Sequence, residues 1–427
     1  MAIFKGKLRW WMIGLVTLGT IMNYLARSTL SVAAPTLKDE FGMTTEQYSW
    51  VVLAFQASYT AMQTVAGALL DSLGTRLGFF IFAMGWALAN MGHALATGWP
   101  SLAAFRAALG ATEAAAIPAG AKVTSEWFPA HQRPLATSCF QMGTSVGSML
   151  APPLVAFCIL WWGWQEAFLI TGGLSVAWAL LWWFGYRKPE DHPAITPGEL
   201  EELKKNEQGI EGEVRPATRG AVLRSRGFWA IAVPRFLAEP AWQTFNFFIP
   251  LYLVSVWGLN LRDIALWAWL PFLAADFGSL AAGILPNALM RRGAGMIASR
   301  KVTMTVGALC MIGPACIGLA GSPGLAIALF CVGGFAHQML NGALITLCAD
   351  IFDTRAVGTA SGMAGSIAWI GGMLFTFLIG QSADQFGYAP LFVALGCLDL
   401  VGACVLWGLL RSSPKSPDGS NGRAELG

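Results

Sequence analysis

The sequence predicts an all-α integral membrane protein: twelve transmembrane helices in two parallel six-helix bundles related by pseudo-symmetry. Three observations carry that prediction. Only 12% of the 427 residues are charged while 55% are apolar, and a soluble domain normally carries about twice that charged share. Apolar runs of bilayer length, about 20 residues each, recur along the chain between polar breaks. A set of short segments in the first half also returns 224 positions later in the second. This composition excludes a soluble enzyme, a nucleic-acid reader and a disordered scaffold. The net charge of +3 is too small to imply a polyanionic partner. The 19 Trp, 26 Phe and 49 Gly fit bilayer helices, which use aromatic belts and tolerate glycine.

The first span opens after Lys5, Lys7 and Arg9, and its apolar run continues past Arg27 to Ala34, too long for a signal-peptide core. Spans follow near 48–70, 77–97, 100–122, 135–160 and 165–186. A polar stretch at 187–227, carrying Glu199, Glu201, Glu202, Lys204, Lys205, Glu207, Glu211 and Glu213, then interrupts the pattern. Six further spans lie near 228–256, 264–289, 300–320, 324–348, 357–380 and 388–410. The division is therefore an N-terminal bundle at 1–186, a linker at 187–227, a C-terminal bundle at 228–411 and a tail at 412–427. The tail is rich in Ser, Pro and Gly and is expected to be disordered.

Lysine and arginine orient the spans. With the N-terminus inside, and the long linker left out, the inside segments hold thirteen such residues against Lys38 and Arg262 outside. The positive-inside rule then places both termini and the linker in the cytoplasm. The repeat agrees with six plus six. Ser125-Glu126-Trp127-Phe128 matches Ala349-Asp350-Ile351-Phe352, Ala136-Thr137 matches Ala360-Ser361, and Gly147-Ser148-Met149-Leu150 matches Gly371-Gly372-Met373-Leu374. An even number of spans per half gives the copies one orientation, and parallel halves of this kind place a substrate site between them near mid-bilayer.

The eight cysteines form no CxxC pair and the four histidines no cluster, so neither a disulfide framework nor a metal site is expected. No HExxH, G-x-S-x-G or cofactor loop is present, and no cofactor is expected. The loop after the second span reads Gly67-Ala68-Leu69-Leu70-Asp71-Ser72-Leu73-Gly74-Thr75-Arg76. Gly67 permits close helix approach, Asp71 can meet a helix N-terminus or an arginine, Gly74 permits the turn, and Arg76 holds positive charge inside.

In this position the loop resembles the signature of the major facilitator superfamily, where it acts as a conformational latch. It lacks the usual basic residues after Asp71 and Gly74, so the resemblance implies a thinner charge network. Asn23-Tyr24-Leu25-Ala26-Arg27, Thr112-Glu113-Ala114 and Ser125-Glu126-Trp127-Phe128-Pro129 look like the anion:cation symporter branch. Arg235-Phe236-Leu237-Ala238-Glu239-Pro240-Ala241-Trp242 and Gly334-Phe335-Ala336-His337-Gln338 are similar to the hexuronate transporters within it. The resemblance implies that Tyr24, Arg27 and Glu113 serve sugar-acid binding and proton coupling, with Tyr59 a further sugar contact. Some relatives carry aspartate just before the first-span arginine; here Ala26 stands there, which argues against a second coupled proton.

The residues read physically in the same direction. Arg27 lies mid-span, where a charge is costly and functional by default. A guanidinium grips a planar carboxylate bidentately, with Tyr24 and Asn23 on the same face for hydroxyls; a packing pair with a glutamate is the alternative. Glu113 is the candidate proton carrier. Arg106, seven residues earlier, either forms a fixed pair with it or pulls on it in some conformations only. Arg235 and Glu239, four apart, form either a gate or a mutually neutralising pair, and Pro240 is expected to loosen the helix beside them. Trp242 and Asn246 continue that face. His337, 224 positions after Glu113, either meets a sugar hydroxyl, carries a proton or is a satisfied core histidine. Gln141 and Thr144 are possible hydroxyl partners, and Lys122 is placed to snorkel.

The function expected is a proton-coupled symporter importing hexuronates or closely related sugar acids by alternating access. It would be driven by the proton gradient in a bacterial inner membrane and act as a monomer in the lipid bilayer. An organic-anion or organophosphate antiporter and an integral-membrane enzyme are the alternatives. Phosphate needs more positive charge than Arg27 and Arg106 supply, and no catalytic motif supports an enzyme.

Overall fold

The structure, a computed structural model, describes residues 8–128, 132–195, 198, 200, 219–352 and 354–410. The tail at 412–427 and most of the acidic stretch between 199 and 213 lie outside the described residues. The first half contains α1 (Leu8–Phe41), α2 (Thr45–Leu73), α3 (Thr75–Gly92), α4 (Trp99–Glu113), α5 (Ala116–Trp127), α6 (Arg133–Trp161) and α7 (Trp164–Gly185). After the linker come α8 (Arg219–Arg224), α9 (Arg226–Trp257), α10 (Leu261–Trp267), α11 (Leu270–Arg291), α12 (Met296–Cys310), α13 (Ile312–Ala315), α14 (Pro323–Ile351), α15 (Thr354–Phe386) and α16 (Ala389–Leu409). No strand occurs among the described residues.

Taken with their jointed partners (α4–α5, α10–α11 and α12–α13), these helices supply all twelve predicted spans. Eight segments among the described residues are long and apolar enough to cross a bilayer by hydropathy. The other four spans, α1, α2, α4–α5 and α9, are the ones that bury Asn23, Arg27, Gln56, Arg106, Glu113, Glu239 and Gln243. That polarity lowers their hydropathy, while His337 and Asp399 lie buried in spans that stay apolar overall.

Proline sets the joints. α4 ends before Ala114, α10 at Trp267 and α12 at Cys310. Each break falls beside the residue four places before a proline, namely Pro118, Pro271 and Pro314, whose missing N–H leaves that carbonyl unbonded. Pro240 behaves otherwise. α9 runs unbroken from Arg226 to Trp257, and the Pro240 carbonyl accepts the Thr244 hydroxyl at 2.7 Å. The expected loosening is therefore no interruption of the helix, although Pro240 leaves the carbonyl four residues earlier, that of Phe236, without its N–H partner.

The contacts cluster into two compact units, residues 1–214 with 250–269, and residues 215–249 with 270–427. The end of α9 and α10 thus cluster with the first unit. Within each unit the repeat is also a packing repeat. A Cβ on Gly147 of α6 would strike the Ile21 carbonyl of α1 at 2.6 Å. In the second unit, a Cβ on Gly371 of α15 would strike the Phe236 carbonyl of α9. Both positions bring two backbones together where only glycine fits.

Candidate functional site

In the first unit, α1, α2 and α4 bring five of the predicted residues together. Arg27 is 6% exposed, Tyr59 3%, and Arg106 and Glu113 both 0%, while Tyr24 is half-buried. The Arg27 Nε donates to Glu113 Oε2 at 2.8 Å, so the buried ion pair joins α1 to α4. The bond uses one nitrogen. A second, long bond of 3.5 Å runs from Arg27 Nη2 to Asn23 Oδ1, one turn back. Rings surround the guanidinium carbon, with centroids at 4.4 Å for Tyr24, 4.8 Å for Tyr59 and 5.1 Å for Phe55. Aromatic faces attract a cation at such distances.

Arg106 does not pair with Glu113. Both its terminal nitrogens, at 3.2 and 3.3 Å, donate to the backbone carbonyl of Arg27, so it braces α1 instead. The alternative of a fixed Arg106–Glu113 pair is thereby replaced: Glu113 pairs with Arg27, 86 residues away. The buried atoms of this cluster without a hydrogen-bond partner include Glu113 Oε1 and Asn23 Nδ2. Buried polar atoms are normally satisfied, so these two, one acceptor and one donor beside a partly used guanidinium, fit a polar ligand carrying hydroxyls and a carboxylate. Gln141 is exposed and Thr144 half-buried on α6, and neither joins this cluster.

Towards the α2–α3 junction lies a second polar group in the same unit. Gly74 has φ of +78°, the region glycine tolerates, and closes the turn. Asp71 meets Lys122 of α5 at 2.6 Å, and Lys122 also reaches the Leu70 carbonyl at 3.1 Å. The lysine expected to snorkel is thus the partner of Asp71. Arg76 donates twice to the Trp183 carbonyl, at 3.0 and 2.7 Å. Glu126 accepts hydroxyls from Thr75 at 2.5 Å and from Tyr186. Gly67 differs from expectation, since a Cβ there would meet nothing within 4 Å; it serves no close approach. Just beyond, His192 lies against Trp127 and accepts the Ala194 N–H. Burial, and then Arg187, hold its ring below the ordinary histidine value, which keeps Nδ1 free to accept.

In the second unit, His337 and Trp242 stack with centroids 5.3 Å apart and planes 9° from parallel. His337 is 1% exposed, and its Nδ1 has no hydrogen-bond partner. Arg235 and Glu239 do not close into an ion pair. Glu239 accepts from Gln243 at 2.7 Å, and Arg235 reaches the Ser361 carbonyl at 3.5 Å. The one-turn spacing is there, but each side chain turns to a different neighbour. Asn246 donates its amide to the Trp242 carbonyl at 2.8 Å. Arg300 pairs with Asp350 at 2.9 Å, and these stand 224 positions after Arg76 and Glu126. Asp399 is 1% exposed with neither oxygen hydrogen-bonded. Among the described residues no group of His, Cys, Asp or Glu could hold a metal ion.

Sequence reasoning missed Phe55 and the Glu126–Tyr186–Thr75 group as parts of these clusters. The repeat had flagged Glu126, but nothing in it named the partners.

Known proteins resemble this chain over most of its length. Residues 16–299 and 294–426 match the family model described as Major Facilitator Superfamily. The chain is 49% identical to the hexuronate transporter of Escherichia coli strain K12 over 411 residues, 95% of each. It is 48% identical to the galacturonate transporter of Dickeya chrysanthemi over 330 residues, 76% of this chain and 96% of that one. Among solved structures, the inward-open xylose transporter XylE from E. coli superposes with a TM-score of 0.72 at 16% identity, covering 95% of this chain and 97% of that one. A bacterial homologue of the human lysosomal transporter Spinster, inward-facing and unoccupied, gives 0.73 at 17% identity, covering 94% and 95%. At that identity these structures speak for the fold.

Proposed function

The chain belongs to the Major Facilitator Superfamily and is a multi-pass membrane transporter; from that premise we propose that it is a proton-coupled symporter importing hexuronates such as galacturonate and glucuronate. The observation that carries the reading is the half-used Arg27–Glu113 pair among Tyr24, Phe55 and Tyr59. Arg27 offers its guanidinium to a planar carboxylate, and the tyrosines offer hydroxyls to the sugar. Similarity to the hexuronate transporter of E. coli and the galacturonate transporter of D. chrysanthemi supports the same substrate class.

Coupling follows from charge. The cluster holds two cations and one anion. An entering uronate shares Arg27 with Glu113, and a buried carboxylate whose partner is divided with a second anion binds a proton rather than stay charged. Substrate and proton then cross together, and alternating access releases both. Asp71–Lys122 and the Glu126 group act as the cytoplasmic latch, and Ala26 limits the cycle to one proton.

Radiolabelled galacturonate in proteoliposomes tests the reading. Accumulation above equilibrium should appear with an inward pH gradient and collapse when a protonophore is added. Equal uptake with and without the gradient would remove proton coupling.

The proposed orientation places both termini and the 187–227 linker in the cytoplasm of a bacterial inner membrane. The lysine and arginine asymmetry supports it. A single cysteine introduced in that linker, in a chain stripped of its other cysteines, should react with a membrane-impermeant maleimide in inverted vesicles only. Labelling in intact spheroplasts would reverse the topology.

A further inference from the structure

We propose that Phe55 is a positioning residue of the sugar-acid site, whose ring holds the guanidiniums of Arg27 and Arg106 in one buried cluster. The proposal rests on the reading of that cluster as a uronate site. The guanidinium carbon of Arg27 lies 5.1 Å from the Phe55 centroid and that of Arg106 lies 4.7 Å from it. Both distances fall within the range over which an aromatic face attracts a cation. Phe55, Arg106 and Glu113 are all 0% exposed, so water screens little of the repulsion between two cations in a cluster that holds one carboxylate, paired with Arg27. The ring supplies negative quadrupole where repulsion is greatest, without adding an anion that would compete with the substrate.

The position of the ring is fixed by backbone. A Cβ on Gly110 of α4 would overlap the Phe55 carbonyl of α2, so the two helices touch there. Gly110 lies one turn after Arg106 and three residues before Glu113, which puts the contact between the two charges along α4. The Ser58 hydroxyl donates to the same carbonyl at 3.0 Å. Tyr59, one turn on from Phe55, stacks against its ring at 5.8 Å and 26° while meeting Arg27 at 4.8 Å. Phe55 therefore stands where α1, α2 and α4 converge, against Arg27 from α1 and Arg106 from α4.

A core phenylalanine that merely fills space would tolerate loss of its quadrupole, and a positioning ring would not. The test is galacturonate binding to purified full-length protein, with Phe55 replaced in turn by 4-fluoro-, 3,5-difluoro- and 3,4,5-trifluorophenylalanine, which keep the shape and remove the negative face stepwise. Each step should raise Kd, reaching on the order of tenfold for the trifluoro ring, since two cation contacts weaken together. The rise should appear in the half-saturating concentration for exchange more than in its rate at saturation, a split that a general loss of folded protein would not give. Phe55→Leu should weaken binding at least as much, but it also changes packing, so the fluorinated series decides. A trifluoro variant that binds like wild type overturns the proposal. Wild-type protein that fails to bind galacturonate overturns the substrate reading, and this proposal with it.

Discussion

Replacing Arg27 by lysine is expected to cut galacturonate uptake by about a hundredfold or more at unchanged membrane abundance. Lysine keeps the positive charge, so attraction for an anion survives. What it loses is the planar fork: Arg27 directs Nε to Glu113 at 2.8 Å and Nη2 to Asn23, with the rings of Tyr24, Tyr59 and Phe55 around the guanidinium. An ammonium on a flexible stem cannot bond a glutamate and a bound carboxylate in fixed directions together. Losing even one or two charge-assisted hydrogen bonds, at roughly 1.5–3 kcal/mol each, amounts to a factor of about 10–1,000 or more. Initial uptake rates in proteoliposomes, normalised to reconstituted protein, measure it. Uptake within about threefold of wild type would show that the carboxylate is held elsewhere.

Glu113→Gln separates binding from coupling. Glutamine has the same shape and can still accept the Arg27 N–H through its amide oxygen. It carries no charge, so Arg27 is freed for the substrate and two cations face one incoming anion. Exchange of internal for external galacturonate should persist, since that half-cycle needs no net proton release. Accumulation driven by a pH gradient should fall to the equilibrium level. Wild-type protein should show accumulation that rises as the outside is acidified, whereas the variant should be flat across the same range. A variant that still concentrates substrate under a pH gradient would move the proton to another group, with His337 the first to examine.

The fold was largely legible in the sequence, and the reason is local. Span position depends on runs of apolar residues, and the joints depend on single prolines such as Pro118, Pro271 and Pro314. Family membership was carried by short strings such as the one around Arg27. Pairing was not legible in the same way. Arg27 and Glu113 stand 86 residues apart and Asp71 and Lys122 51 apart, and only helix packing decides that they meet. The closer candidates misled for this reason. Arg106 shares a helix with Glu113 but points to a carbonyl on α1, and Arg235 shares a face with Glu239 yet turns to α15. Phe55 was invisible because one phenylalanine among 26 in a membrane chain has no signature until two arginines are found beside it.

Arg106 and Glu113 are separated by two turns of one helix, and each is tied to a different part of Arg27: the backbone carbonyl in one case, the side chain in the other. The stretch between them therefore works as a ruler, marked in steps of about 100° and 1.5 Å. Deleting or inserting a single residue there would swing the carboxylate away from α1 while leaving hydropathy and helix propensity almost unchanged. Between positions 106 and 113 the number of residues is therefore as constrained as their identity.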